Sequence, residues 1–68
     1  MKINLNGEPK EFSDGLTVES LISALGLEPT RVAIEVNRNV VRRQQWPTTE
    51  LNDGDQVEIV HFVGGGLV

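Results

Sequence analysis

The chain has no cysteine and a single histidine, His61, among its 68 residues. Without cysteine it can form neither a disulfide nor a thiolate nucleophile, and it cannot ligate zinc or an iron–sulfur cluster through sulfur. One histidine cannot build a His-rich metal site or a Cys–His pair. We therefore expect a protein that is not an enzyme, holds no metal or cofactor of its own and suits a reducing cytoplasm.

Positive charge is also scarce, with six Lys and Arg against ten Asp and Glu and a net charge of −4. An acidic chain without a basic run is a poor ligand for nucleic acid. The one basic cluster is Arg38, Arg42 and Arg43, which suits either an acidic partner surface or a solvated loop. No segment approaches the ~20 apolar residues of a membrane helix, and the start lacks a signal peptide, so we expect no membrane partner.

The length fits one domain, and 38% hydrophobic residues fit a globular one. Ile3 and Leu5 alternate with polar residues and predict a strand. Asn6-Gly7 predicts a two-residue hairpin turn, because both positions tolerate positive φ. The returning strand, Glu8 to Phe12, contains Pro9 and therefore belongs at an exposed edge.

One short helix is predicted after this hairpin. Thr17 is a suitable N-cap, and Gly26 and Pro29 end the helix. Its apolar stripe is Val18, Leu21, Ile22 and Leu25. The helix is thus expected to cover one face of a sheet.

The second half predicts further strands at Arg31–Val36, Val40-Val41 and Gln56–Val63. Residues 42–51 have no clean period and are expected to form a loop in which Trp46 contacts the core edge. Asp53 and Asp55 could share a metal, but their place beside Gly54 favours a turn. His61 suits either a polar contact near the C-terminal end or, as we prefer, an ordinary strand residue.

This order predicts an α+β protein with one helix on one face of a mixed sheet of four to five strands, the β-grasp or ubiquitin-like fold. A right-handed crossover would place the Arg31–Val36 strand parallel to the first strand. The expected organisation is a β-grasp domain over residues 1–63 and a flexible glycine-rich tail over residues 64–68.

Two features suggest an interaction with another protein. Val60 and Phe62 fall on the face of the last strand that has no predicted helix, and we interpret them as a docking patch, unless the 42–51 loop covers them. Gly64, Gly65 and Gly66 then follow close to the C-terminus. Such a segment can thread a narrow channel and present a carboxylate to another protein, although a frayed end explains it equally well.

Several segments resemble the ThiS family of sulfur carrier proteins of bacterial thiamin biosynthesis, and more distantly the molybdopterin-synthase small subunit MoaD and ubiquitin. The resemblance covers nearly the whole chain. Its segments are residues 1–7, the helix residues 17–27, residues 32–37, Trp46, residues 51–60 and, most specifically, His61-Phe62-Val63-Gly64-Gly65-Gly66.

The resemblance implies a carrier without catalysis of its own. An E1-like adenylyltransferase (ThiF) would use MgATP to adenylate the terminal glycine, sulfur from a cysteine desulfurase would convert it to a thiocarboxylate, and thiazole synthase (ThiG) would receive the sulfur. By position Gly66 would be the activated residue. Gly64 and Gly65 would lie in the partner's channel, and Val60 and Phe62 would dock.

The chain departs from the family at its end, since Leu67 and Val68 follow the glycine that should be terminal. Either a protease removes them, or they are an addition to the natural sequence, or the carrier role has been lost. The alternatives to a sulfur carrier are a ubiquitin-like protein modifier joined through Gly66 to lysines and an interaction module that uses only the Val60 and Phe62 face.

Overall fold

The computed structural model describes residues 1–62. Its elements are β1 (Lys2–Leu5), β2 (Glu8–Glu11), α1 (Val18–Ala24), β3 (Val32–Val36), β4 (Asn39–Val40) and β5 (Gln56–His61), with 3₁₀ helices at Pro29–Arg31 and Arg43–Thr48. The predicted tail, 64–68, lies outside the described residues. The domain boundary at residue 63 therefore stays a prediction.

The five strands form one mixed sheet in the order β2-β1-β5-β3-β4. β1 is parallel to β5, and the other three pairs are antiparallel. The edge position of β2 agrees with the prediction from Pro9, whose missing N–H needs no partner there. A mixed sheet with one main helix is the predicted β-grasp architecture.

The predicted direction of the third strand is wrong. β3 does not lie beside β1 and is antiparallel to it, because β5 lies between them, parallel to β1 and antiparallel to β3. The strand parallel to β1 is the last one in the chain and not the strand that follows the helix. β5 is the central strand, with β1 on one edge and β3 on the other.

The helix forms where its sequence signals placed it. Thr17 accepts a hydrogen bond from the backbone N–H of Ser20 at 3.1 Å through its side-chain oxygen, which satisfies one free donor of the first turn. Gly26 has a φ of +68°, the left-handed conformation that ends the helix. Val18, Leu21 and Ile22 are buried, as the apolar stripe predicted.

The core lies between α1 and one face of the sheet. Its buried residues are Ile3, Leu5, Val18, Leu21, Ile22, Val32, Ile34, Trp46, Leu51, Val57 and Ile59. Trp46 is only 4% exposed and donates from its indole nitrogen to the Val41 carbonyl at 3.0 Å. The predicted loop thus contains a 3₁₀ helix that brings Trp46 into the core. Within residues 1–62 no helix has the length and apolar character needed to span a bilayer.

Candidate functional site

The central strand β5 separates a buried face from an open one. Val57 and Ile59 point toward α1 and are buried, whereas Glu58 and Val60 alternate with them and are exposed. Val60 is 57% exposed, and Val40 on the edge strand is 70% exposed. The predicted exposure of Val60 is therefore confirmed.

The strand register gathers five residues on the open face. Val60 lies opposite Ala33, Glu58 lies opposite Glu35, and Glu35 lies opposite Val40 on its other side. Residues directly opposite each other in an antiparallel pair share a face of the sheet. Together these five residues, Ala33, Glu35, Val40, Glu58 and Val60, form what we call the open-face patch. It combines apolar side chains with two carboxylates.

Phe62 differs from Val60 in its surroundings. Its backbone N–H donates to the Arg31 carbonyl at 2.8 Å, which continues the β3–β5 ladder by one residue. The residue is half-buried and lines a groove of about 290 Å³ together with Val41 and Trp46. The segment around Trp46 thus borders Phe62, as the alternative interpretation expected, while Val60 stays open.

The three arginines of the basic cluster are divided between two places. Arg42 and Arg43 line the groove beside Phe62. Arg43 donates to the Pro29 carbonyl at 3.0 Å and lies 5.5 Å from the centre of the Trp46 ring, within cation–π range. Arg38 instead borders a recess with Glu35 and Glu58. A single basic surface formed by all three is therefore not what the fold presents.

Asn6 ties β1 to β5 beyond the last paired residues of their ladder. Its side-chain oxygen accepts from the Ile59 N–H at 2.8 Å, and its side-chain nitrogen donates to the Ile59 carbonyl at 3.4 Å. The side-chain amide therefore takes the place of one more peptide group of β1. Sequence analysis identified Asn6 only as a turn residue, because nothing in the local pattern names its partner 53 residues away.

Asp53 and Asp55 lie at the turn, and Asp55 bonds within it as predicted, but both also bond residues outside it. Asp55 accepts from the Asn52 N–H at 2.8 Å and from the Asn37 side chain at 3.1 Å, and Asp53 accepts from the Lys2 N–H at 2.7 Å. In the part of the chain that the structure describes, no three His, Asp or Glu side chains are grouped to hold a metal ion. His61 ends β5 and is exposed.

The predicted activation residue Gly66 and the preceding Gly64 and Gly65 lie outside the described residues. What the structure places is the strand that leads to them. β5 is paired to β3 as far as Phe62. Asn6 bonds β5 at Ile59, three residues after Gln56, where the register with β1 begins opposite Asn4. The open-face patch therefore lies beside the strand end from which residues 63–68 continue.

The sequence profile of the ThiS family matches residues 3–66. This chain belongs to the ThiS family. A crystal structure of the thiamine biosynthesis protein ThiS from Geobacter metallireducens superposes with a TM-score of 0.85 at 36% identity, covering 97% of this chain and 100% of that one. This similarity confirms the predicted β-grasp fold.

Two relatives contain a similar sequence, one as a free-standing protein and the other as a segment of a longer protein. The sulfur carrier protein ThiS of Bacillus subtilis is 37% identical over 65 residues, covering 94% of this chain and 98% of the relative. A thiazole synthase of Magnetococcus marinus is 48% identical over 66 residues, which cover 97% of this chain but 20% of that protein. The chain thus spans a fifth of the thiazole synthase it matches, and a ThiS-like segment is part of that longer protein.

Proposed function

We propose that this chain is a sulfur carrier protein of thiamin biosynthesis, without catalytic activity of its own. The observation that carries the proposal is the family match, which runs through the whole fold and ends at Gly66. The free-standing relative from B. subtilis, matched over nearly its full length, is named as a sulfur carrier. Gly66 is accordingly the residue we assign to activation.

Activation needs chemistry that a small fold without a catalytic constellation receives from partners. An E1-like adenylyltransferase (ThiF) uses MgATP, and the carboxylate of Gly66 displaces pyrophosphate to form an acyl adenylate. The terminal sulfur of a persulfide supplied through a cysteine desulfurase then attacks the carbonyl carbon, and AMP leaves. A thiol next cleaves the S–S bond of the resulting acyl disulfide, so that the thiol is oxidised to a disulfide and the acyl sulfur is released. The product is a thiocarboxylate. Gly64 and Gly65 lead through the partner's channel, where a side chain would be an obstruction.

The thiocarboxylate sulfur then passes to thiazole synthase (ThiG). The Magnetococcus protein supports this partner, since a thiazole synthase there contains a segment like this chain. Val60, with its exposed side chain, and Phe62, beside the groove, are assigned to docking. We place these reactions in the cytoplasm, where MgATP is available.

The carrier must end at Gly66 to be adenylated there, so Leu67 and Val68 have to be removed first. The test is an intact-mass measurement of the untagged chain in its own cells, with the adenylyltransferase and the desulfurase present. We expect a species that ends at Gly66 and has one oxygen replaced by sulfur. A chain that keeps Val68 and carries no sulfur would refute the proposal, and amide conjugates between Gly66 and lysines would indicate a protein modifier.

A matched pair of variants tests the role of the glycines. Gly65→Leu is expected to block thiocarboxylate formation, because its side chain fills the channel. Ala24→Leu serves as the control, since it adds the same leucine side chain at an exposed position of α1. Sulfur loading of Gly65→Leu at the wild-type rate would contradict the assignment of this residue to the channel.

A further inference from the structure

Two glutamates lie opposite each other in the open-face patch. Glu35 and Glu58 are Cα partners in the β3–β5 ladder and lie on the face without a helix. Like charges directly opposite in a sheet destabilise it, whereas cross-strand pairs of opposite charge stabilise it. The arrangement therefore works against folding at this position.

No cation within residues 1–62 forms an ion pair with either carboxylate. The ion pairs within residues 1–62 join the N-terminus to Asp14 and Lys10 to Glu8, and neither involves Glu35 or Glu58. Arg38 borders the same recess but forms no ion pair with either carboxylate within 4 Å. Two negative charges thus remain available on a surface that also exposes Val40 and Val60.

The neighbouring valines determine what kind of surface fits there. A partner that covers Val60 also removes water from Glu58, two residues along the same strand, and burying an unpaired carboxylate is costly. A partner that places an arginine or lysine against the two carboxylates compensates for this lost hydration. Surface complementarity thus requires an apolar contact flanked by positive charge.

We propose that the open-face patch docks on thiazole synthase through a basic side chain of that enzyme placed against Glu35 and Glu58, with Val60 in the adjoining apolar contact. This inference rests on the proposed function for the choice of partner, since a thiazole synthase carries a ThiS-like segment in Magnetococcus. The carboxylates act as specificity determinants and take no part in sulfur chemistry.

The test is the affinity of the full chain for purified thiazole synthase of the same organism, measured by calorimetry at low and high NaCl. Glu35→Gln together with Glu58→Gln is expected to weaken binding about tenfold and to flatten its dependence on salt. The same double variant is expected to melt at or above the wild-type temperature, because the like-charge contact is gone. A purely structural role would lower the melting temperature instead.

The control is Glu28→Gln together with Glu50→Gln, which changes the net charge equally at two exposed positions outside the sheet. It is expected to keep the wild-type affinity. The proposal is overturned by equal effects of the two double variants, by wild-type affinity in Glu35→Gln/Glu58→Gln, or by no binding of the wild type to thiazole synthase. Weakened binding only to the adenylyltransferase would assign the patch to that enzyme and also overturn it.

The outcomes separate this inference from the proposed function, because binding and sulfur loading are measured independently. If the chain acquires a thiocarboxylate but does not dock through these carboxylates, the proposed function is retained and the proposed docking surface is rejected. If the chain docks as proposed but never carries sulfur, the docking surface is retained and the sulfur-carrier function is rejected.

Discussion

The two faces of β5 differ in burial and in charge. Toward α1 the strand presents Val57 and Ile59, which are buried in the core. On the other face the adjacent residues are Glu58, opposite a second glutamate, and Val60, which is 57% exposed. One face thus gains stability from apolar burial, and the other leaves apolar surface in water and sets like charges together.

Stability and recognition are thus assigned to opposite faces of a single pleated strand. A side chain one residue along β5 changes from a core contact to a surface contact. Substitutions on the helix side should therefore change the free energy of unfolding, and those on the open side should change binding. Variants on the two faces of β5 and in its neighbouring elements test this division.

Leu21→Ala is expected to have the largest effect on stability. Leu21 is fully buried on α1, and its truncation leaves a cavity against the sheet, which costs about 2–5 kcal/mol. A domain of this size has only ~3–5 kcal/mol available, so much of the protein should unfold. Urea denaturation followed by circular dichroism measures the loss. A change below 0.5 kcal/mol would mean that the helix side is not the main source of stability.

Asn6→Ala tests whether β5 needs the side-chain bridge to β1. It removes both hydrogen bonds to Ile59 and places alanine at a φ of +50°, and we expect a loss of about 1–3 kcal/mol. Asn6→Gly is the control, because glycine removes the same bonds without the backbone penalty. If Asn6→Gly were more stable than wild type in urea by about 0.5 kcal/mol, the gain expected from relieving a positive φ alone, the bridge would contribute nothing.

Arg38→Gly tests whether the left-handed backbone at Arg38, in the turn beside the open-face patch, lowers the free energy of unfolding. Arg38 has a φ of +70° in the β3–β4 turn, a conformation that costs a non-glycine residue about 1–2 kcal/mol. Glycine removes that penalty but gains chain entropy on unfolding, so we expect a net stabilisation of about 0.5 kcal/mol. Thermal unfolding reports it as a raised midpoint. Destabilisation would indicate that the Arg38 side chain supports the fold, and Arg42→Gly, at an exposed site with ordinary φ, is the comparison.

Val60→Ser should leave stability nearly unchanged, within about 0.5 kcal/mol, because its side chain is already exposed. Binding to the protein partner should weaken, since the apolar contact is lost. The matched variant Val57→Ser places the same change on the buried face of the same strand, where it should unfold the protein. Similar melting temperatures for the two variants would remove the distinction between the faces.

Local signals predicted the parts of the fold that depend on neighbouring residues. The cap at Thr17, the stripe of α1 and the Asn6-Gly7 turn, with φ values of +50° and +83°, are properties of a few consecutive residues. Alternation along β5 likewise placed Val60 on the open face. These features required no knowledge of which strands are paired.

Long-range pairing is what local patterns could not supply. The direction of β3 depends on which apolar strand pairs with β1, and in this fold β5 does so and lies between β1 and β3. The opposition of Glu35 and Glu58 follows from that register and could not be predicted without it. The bridge from Asn6 to Ile59 has the same origin. The assignment of Gly66 came from family resemblance, because three glycines near a terminus fit a frayed end equally well.

The parallel pairing of β1 with β5 also has a mechanical consequence. β5 is bonded to β3 on one edge and to β1 on the other, and Asn6 extends the second set of bonds to Ile59. A force applied at the C-terminal end of β5 acts along the strand, so it loads these bonds together in shear instead of opening them one after another. A partner can therefore pull on residues 63–68 while the rest of the domain resists extraction.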